Sequence, residues 1–129
     1  MLTTPLDPAD LDALILHLKT GGTGDLENPD PFLEIRDVSP DPAELNLPGV
    51  LVQLTGVEQD RLQGVAIGVN LVCLAPELSY RAWPIMADLF NRVAALVTPT
   101  GRANAVTMTL PDTSGPVPGL SIPYDLLTS

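Results

Sequence analysis

The sequence predicts an α+β fold in which an antiparallel or mixed four-stranded sheet packs against two helices, with a long loop rich in proline and aspartate after the first helix. Apolar residues recur at helical spacing in two segments and alternate in four others, whereas residues 21–48 do neither. The 129 residues, of which 45% are hydrophobic, fit a single domain over residues 1–129 with a core of its own.

The first helix is predicted over residues 8–20. Its apolar stripe has the i, i+3, i+4, i+7 spacing of one helix face and comprises Leu11, Leu14, Ile15 and Leu18. We expect Asp7 to cap the start of this helix. Gly21 and Gly22 are expected to end it, because glycine readily adopts the left-handed conformation that follows many helices.

Residues 21–48, called the acidic segment below, contain five prolines, three glycines and seven acidic residues. Residues 32–36 are predicted to form a short strand, and the remainder is predicted to be an extended connection. A loop of this length in a compact domain is usually functional, or it becomes ordered on binding.

A hairpin is predicted after the acidic segment. Residues 50–55 alternate in polarity and indicate a strand, and residues 56–63 are predicted to be its polar connection. Gly64–Leu74 is the clearest strand, and its end is apolar on both faces because of Val72 and Leu74. One face of this strand carries Val65, Ile67, Val69, Leu71 and Cys73.

Ser79 or Ala82 is predicted to precede the second helix, which has Pro84 in its first turn and ends before Pro99. Its broad apolar stripe comprises Ile85, Met86, Leu89, Phe90, Val93, Ala94, Leu96 and Val97. The width of this stripe predicts that the helix is the main one packed on the sheet.

Two closing strands are predicted over residues 103–110 and 120–124, where apolar residues again alternate. Pro118 and Pro123 lack the N–H group that a ladder of hydrogen bonds needs. The last strand is therefore predicted at an edge of the sheet.

The formal net charge of −10 is concentrated near the N-terminus. Residues 1–48 contain ten acidic and two basic residues, whereas residues 49–129 contain six acidic and four basic ones. This balance disfavours binding to nucleic-acid phosphates or to an anionic membrane, and it favours a basic partner or repulsion of an acidic one. No apolar run is long enough for a membrane helix, and no secretion signal is recognised.

The residues that carry catalysis in other proteins are sparse here. His17 is the only histidine and is predicted at a surface or boundary position. Cys73 is the only cysteine, and its apolar strand predicts a buried thiol. Residues 21–24 are rich in glycine but follow a helix and lack the lysine of a phosphate-binding loop. We expect no enzyme activity, no cofactor and no metal site.

Two surfaces are predicted to contact other proteins. Tyr80, Arg81 and Trp83 precede the main helix, and aromatic residues and arginine are enriched at interfaces. The predicted edge strand is the second surface, because an exposed edge must be paired or protected. Its candidate interface residues are Leu120, Ile122 and Tyr124.

The order of these elements resembles that of the tail terminator (tail completion) proteins of long-tailed bacteriophages. Residues 48–54 and Gly64–Leu74 resemble the central hairpin of that family, and residues 87–97 resemble its principal helix. Residues 103–110 and 120–124 resemble its closing strands. The acidic segment departs from the family pattern.

The resemblance implies a homomeric ring, typically a hexamer, that caps the tail tube and joins it to the head–tail connector or stopper protein. It implies a virion protein of the tail or neck, assembled in the cytoplasm of the bacterial host, with no cofactor. DNA would cross the lumen of the ring without specific binding. The acidic residues Asp25, Glu27 and Asp30 are hypothesised to face the lumen, where they would repel phosphates.

Three alternatives stay open on the sequence. The chain is also compatible with another neck, connector or stopper protein. A second alternative is a cellular binding module that recognises a basic partner through the acidic segment. A third is a small enzyme with distributed carboxylates.

Overall fold

A computed structural model describes residues 8–60, 64–77, 80–111 and 115–128. Two helices and a five-stranded mixed sheet confirm the α+β class. In chain order the elements are α1 (Pro8–Lys19), β1 (Val38–Ser39), β2 (Gly49–Asp60), β3 (Gly64–Leu74), α2 (Ala82–Leu96), β4 (Asn104–Met108) and β5 (Val117–Thr128).

The strand order across the sheet is β1-β2-β3-β5-β4. Only the β1–β2 pair is parallel, and the other three pairs are antiparallel. The expectation of four strands was wrong because β1 has only two residues, too few to show alternation. Residues 32–36, where a short strand was predicted, form a turn and irregular chain just before β1.

Both predicted helices are present. α1 ends one residue before the predicted limit. α2 includes Ala82, which was expected to precede it, and Arg81 is the residue before the helix. Asp7 and Ser79, the other predicted terminal residues, lie outside the described part of the chain.

The main core lies between the two helices and one face of the sheet. β2, β3 and β5 each direct alternate side chains toward it, which confirms the predicted face of β3 for Ile67, Val69, Leu71 and Cys73. The side chain of Val65 lies outside the described part of the chain. The buried core residues of the sheet are Val38, Val50, Val52, Ile67, Val69, Leu71, Cys73 and Ile122, and those of the helices are Leu14, Leu18, Leu89 and Val93.

A second, smaller core covers part of the opposite face. Val72 and Leu74 of β3 pack there with Leu51 of β2, as the apolar end of β3 predicts. Leu45 and Leu110, from the segments before β2 and after β4, also belong to this cluster. Both faces of the sheet are therefore covered at one end of the strands.

β2 continues through residues that were predicted to be a loop. Gly56 pairs with Gly68 and Glu58 with Ala66, so the expected polar connection over residues 56–63 was wrong for 56–60. The register shifts between Leu54 and Gly56, which makes Thr55 the extra residue of a β-bulge. Residues 61–63 lie outside the described residues.

β5 lies between β3 and β4, so its predicted edge position was wrong. The carbonyl of Pro118 accepts a hydrogen bond from the Ala75 N–H, and the carbonyl of Pro123 accepts one from the Thr100 N–H. The N–H and C=O of one strand residue point to the same side. At each proline, the position that an N–H group would occupy therefore faces residues beyond the end of the neighbouring strand. No hydrogen bond between two strands is lost there.

The acidic segment folds against the rest of the protein, and the extended loop expected there is not confirmed. The Ile35 N–H donates to the carbonyl of Leu18, and the Asp30 N–H donates to that of Thr20. Ile35 and Val38 join the main core. The segment is therefore a series of turns anchored by buried apolar side chains.

Candidate assembly surfaces

The two residues best suited to catalysis are engaged in the fold. Cys73 is buried in the main core, and burial raises the pKa of its thiol to about 12. The Nε2 of His17 lies 2.9 Å from the carbonyl oxygen of Leu96 and joins α1 to the end of α2. Among the residues that the structure describes, no three His, Cys, Asp or Glu side chains form a group that would hold a metal ion.

The aromatic residues at the start of α2 lie at the surface; Tyr80 precedes the helix, as predicted, whereas Trp83 is its second residue. Tyr80 is 84% exposed and Trp83 is 62% exposed, while Ala82 between them is buried. The guanidinium carbon of Arg81 lies 5.9 Å from the centre of the Tyr80 ring, within the range of a cation–π contact. This geometry leaves two large apolar faces in water.

The three candidate residues of β5 are not at an open edge. Ile122 is fully buried in the main core, and Leu120 and Tyr124 are partly buried against it. β5 has no open edge because it pairs with β3 on one side and with β4 on the other. Leu120 also lines an accessible groove.

That groove runs between α2 and the start of β4 and has a volume of about 340 Å³. It is lined by Trp83, Ala87, Phe90, Asn91, Ala103 and Leu120. β4 lies beyond the helices, so its helix-side residues Ala105 and Thr107 are exposed. We call this groove, together with the outer edge of β4, the β4 surface.

The opposite end of the sheet is a second accessible edge. β1 pairs only with Val50 and Leu51, and in the described residues no strand pairs with the outer side of β2 beyond them. The Val50 N–H donates outward to the Asp37 carbonyl. Because backbone direction alternates along a strand, the N–H and C=O groups of Val52 and Leu54 point to the same outer side.

Apolar side chains surround this open edge. Leu54 is 62% exposed and Val57 is 50% exposed. A cavity of about 580 Å³ lies alongside; it is lined by Leu11, Pro40, Pro42 and Val52 and extends to Met108, the last residue of β4, and to Leu110 and Pro111. We call the outer edge of residues 52–58 the β2 surface.

Sequence reasoning missed the β2 surface because residues 56–63 resemble a polar turn. Leu54 and Val57 are three residues apart, which in a regular strand places them on opposite faces. The bulge at Thr55 brings both to the helix side, since Leu54 pairs with Val69 and Val57 with Ile67. An apolar pair spaced by three across a glycine was the available signal.

The candidate lumen residues have different local roles. The Asp25 carboxylate accepts hydrogen bonds from the Glu27 N–H and the Asn28 side chain, and Asp30 accepts one from the Phe32 N–H. The Asn28 bond, followed by that from the Glu27 backbone, lowers the pKa of Asp25. Both aspartates therefore build turns, whereas Glu27 contributes an exposed charge.

Two exposed apolar residues accompany these acids. Phe32 is 82% exposed and Leu26 is 65% exposed. The sequence suggested a short strand around Phe32, but the residue lies in a turn that holds its ring away from the core. The result is an acidic surface with two apolar side chains.

No protein-family model matches this chain, and no curated protein or solved structure is significantly similar to it. Within the described ranges, no helix has both the length and the apolar character needed to cross a membrane.

Proposed function

We propose that this chain is a structural subunit of the tail terminator kind. In this proposal, copies assemble head to tail into a closed ring of six that caps the tail tube of a bacteriophage and joins it to the head–tail connector. The observation that carries the proposal is the presence of two unlike accessible surfaces, the β2 surface and the β4 surface, at opposite ends of one sheet.

Unlike surfaces on one subunit favour a ring for a geometric reason. When one surface of a copy binds the other surface of the next copy, the contact repeats, and it closes if the rotation per copy divides a full turn. Exposed Leu54 and Trp83 give both surfaces apolar area to bury. An open strand edge also favours pairing with another chain.

Oligomeric state tests this proposal directly. Native mass spectrometry and negative-stain imaging over a concentration series, with and without purified tail tubes, should show a discrete ring on tube ends. Leu54→Asp should abolish the ring, whereas Ala95→Asp, on the exposed face of α2, should leave it intact. A monomeric mass under every condition, including with tubes, contradicts the proposal.

Binding to the tube separates termination from the related neck functions. A terminator should bind the end of a completed tail tube before any connector is present. A stopper or connector should bind the head side and leave isolated tubes uncapped. Imaging tubes incubated with the protein alone distinguishes the two outcomes.

In the proposed ring, the acidic segment faces the lumen and repels DNA. Glu27 is the sharpest test, because changing Asp25 or Asp30 would also disturb a turn. Glu27→Lys should leave ring assembly intact and reduce DNA delivery, while Glu44→Lys serves as a matched exposed control. Normal infectivity of the Glu27→Lys variant would contradict the proposed position of the acidic segment in the lumen.

A second candidate function is a module that binds a basic protein segment. The observation that favours it is the exposed Phe32 ring in the acidic segment, next to Asp30, whose carboxylate accepts a hydrogen bond from the Phe32 N–H. Titration with a lysine- and leucine-rich peptide should give saturable binding that Phe32→Ala weakens by about tenfold. Binding unchanged by Phe32→Ala would dismiss this candidate.

A further inference from the structure

We propose that the open edge of β2 in one copy pairs with the outer edge of β4 in the next copy, so that one sheet continues from subunit to subunit. This inference rests on the proposed ring and specifies how its copies join.

The charges at the two ends of the sheet are complementary. Residues 37–60, which contain β1 and β2, carry five acidic residues and no lysine or arginine. Residues 80–109, which contain α2 and β4, carry three arginines and one acidic residue. The Arg92 guanidinium donates to Asp88 and to the Glu34 carbonyl on the side of the acidic segment, so Arg81 and Arg102 supply the positive charge near β4. The total charge of −10 does not show this difference. The difference in charge favours contact between unlike ends and opposes contact between two β2 ends.

Backbone groups on the two edges also match. The carbonyl of Pro123 in β5 points toward the β4 side, and the backbone groups of every second residue before it point the same way. Asn104, Val106 and Met108 lie opposite those residues and therefore bond to β5. Ala105 and Thr107 therefore direct their N–H and C=O groups outward. Val52 and Leu54 do the same on β2, and on both edges the side chains of these residues lie on the helix side.

The direction of pairing follows from the topology. β2, β3, β5 and β4 are successively antiparallel, so β4 runs opposite to β2. Copies related by a ring rotation keep the same orientation relative to the ring axis. β4 of one copy therefore meets β2 of the next in antiparallel orientation, and every helix layer stays on the same side of the continuous sheet.

One register satisfies both the apolar and the charged residues. With Leu54 opposite Ala105, and with Thr55 as the extra bulge residue, Val57 lies opposite Ala103 and Glu58 opposite Arg102. Leu54 and Val57 then lie next to the groove of Trp83 and Phe90, where small alanine side chains leave space. Arg102 and Glu58 are both exposed in the free subunit.

Disulfide trapping tests the register. Paired antiparallel residues have Cα atoms about 5.5 Å apart, which suits a disulfide. Within one chain, β2 and β4 are separated by three strand spacings, about 14 Å, so Leu54→Cys and Ala105→Cys cannot bridge internally. Native Cys73 remains in place, because its thiol is buried.

Oxidation of the L54C/A105C double variant should give a ladder of covalent oligomers on a non-reducing gel that stops at the size of the ring. The single L54C variant and the L54C/A95C control should give no ladder. A ring seen by mass without this ladder overturns the edge pairing but keeps the ring. Covalent dimers of the single L54C variant would indicate contact between two β2 edges and would overturn the pairing of β2 with β4. Monomers in every assay overturn both proposals.

Charge reversal gives an independent measurement. Arg102→Glu should weaken self-association roughly three- to tenfold, because it places a carboxylate opposite Glu58. Combining Arg102→Glu with Glu58→Arg should restore most of the affinity. Circular dichroism checks that both exposed substitutions leave the fold intact. Equal weakening by R102E and by the double reversal contradicts the register.

Discussion

The N-terminal region, α1 with the acidic segment, and the sheet that follows reach the same burial by different routes. Leu18 and Ile35 in the former are as inaccessible as Leu71 and Ile122 in the latter. The strands bury residues through a repeated alternation, which a sequence displays. The acidic segment instead buries isolated residues between turns. A segment rich in proline and acids can therefore be an integral part of a core without any periodic pattern.

Aspartate side chains explain how the acidic segment holds its shape. The carboxylates of Asp25, Asp30 and Asp41 each accept a hydrogen bond from the backbone N–H two residues later. This is the turn geometry that aspartate favours. The same aspartates that make the segment acidic therefore hold its turns in place.

The largest effect expected concerns core anchoring in the acidic segment. Ile35→Ala should lower the free energy of unfolding by about 2–5 kcal/mol, as much as Leu71→Ala in β3, because both delete a fully buried side chain. Urea denaturation measures both variants, with exposed Phe32→Ala as the control within about 0.5 kcal/mol. A negligible effect of Ile35→Ala would break the equivalence of the two regions.

The next effect concerns the turn that ends α1. Gly21 has φ +67°, and a Cβ there would lie 2.8 Å from the Glu34 nitrogen and 2.9 Å from the Asp30 oxygen. Gly21→Ala should cost about 2–3 kcal/mol from strain and overlap. Gly24 has φ +72° but open space around it, so Gly24→Ala should cost only about 1 kcal/mol. Equal losses in thermal unfolding would show that overlap with the acidic segment is unimportant.

A smaller effect is expected for a buried hydroxyl. Thr20 Oγ1 donates to the Leu16 carbonyl at 2.7 Å and accepts from the Gly24 N–H at 2.9 Å. Thr20→Val keeps the shape but leaves the Gly24 N–H without this partner, at a cost of about 1–2 kcal/mol. Exposed Thr23→Val is the matched control. If the two variants are equally stable in urea, Thr20 does not hold the turn.

The smallest effect concerns pH. The folded pKa of Asp25 lies below its ordinary value of 3.8, so its ionised form stabilises the turn above that value. This contribution is lost as the pH falls through the folded pKa. The stability difference between wild type and Asp25→Asn should therefore shrink between pH 5 and acid. An NMR titration of the Asp25 carboxyl gives the pKa directly, and an ordinary value contradicts the expectation.

The candidate surfaces were only partly predictable from sequence. The exposure of Tyr80 and Trp83 follows from their position at the start of a helix, outside its apolar stripe. Ile122 was misplaced because the prolines around it suggested an edge, while their missing N–H groups in fact point past neighbouring strands. The β2 surface was missed because residues 56–60 resembled a polar turn, and the bulge was signalled only by Leu54 and Val57 spaced by three across a glycine.

The sequence by itself determined the helices and the inward faces of the long strands, because helical and alternating periodicities are local properties of the chain. Tertiary structure decided which strands are neighbours, which edges stay open and which residues of the acidic segment are buried. These features depend on partners distant in sequence, such as β5 inserted between β3 and β4. The same distant pairing leaves the acidic β2 end and the basic β4 end at opposite edges of one sheet.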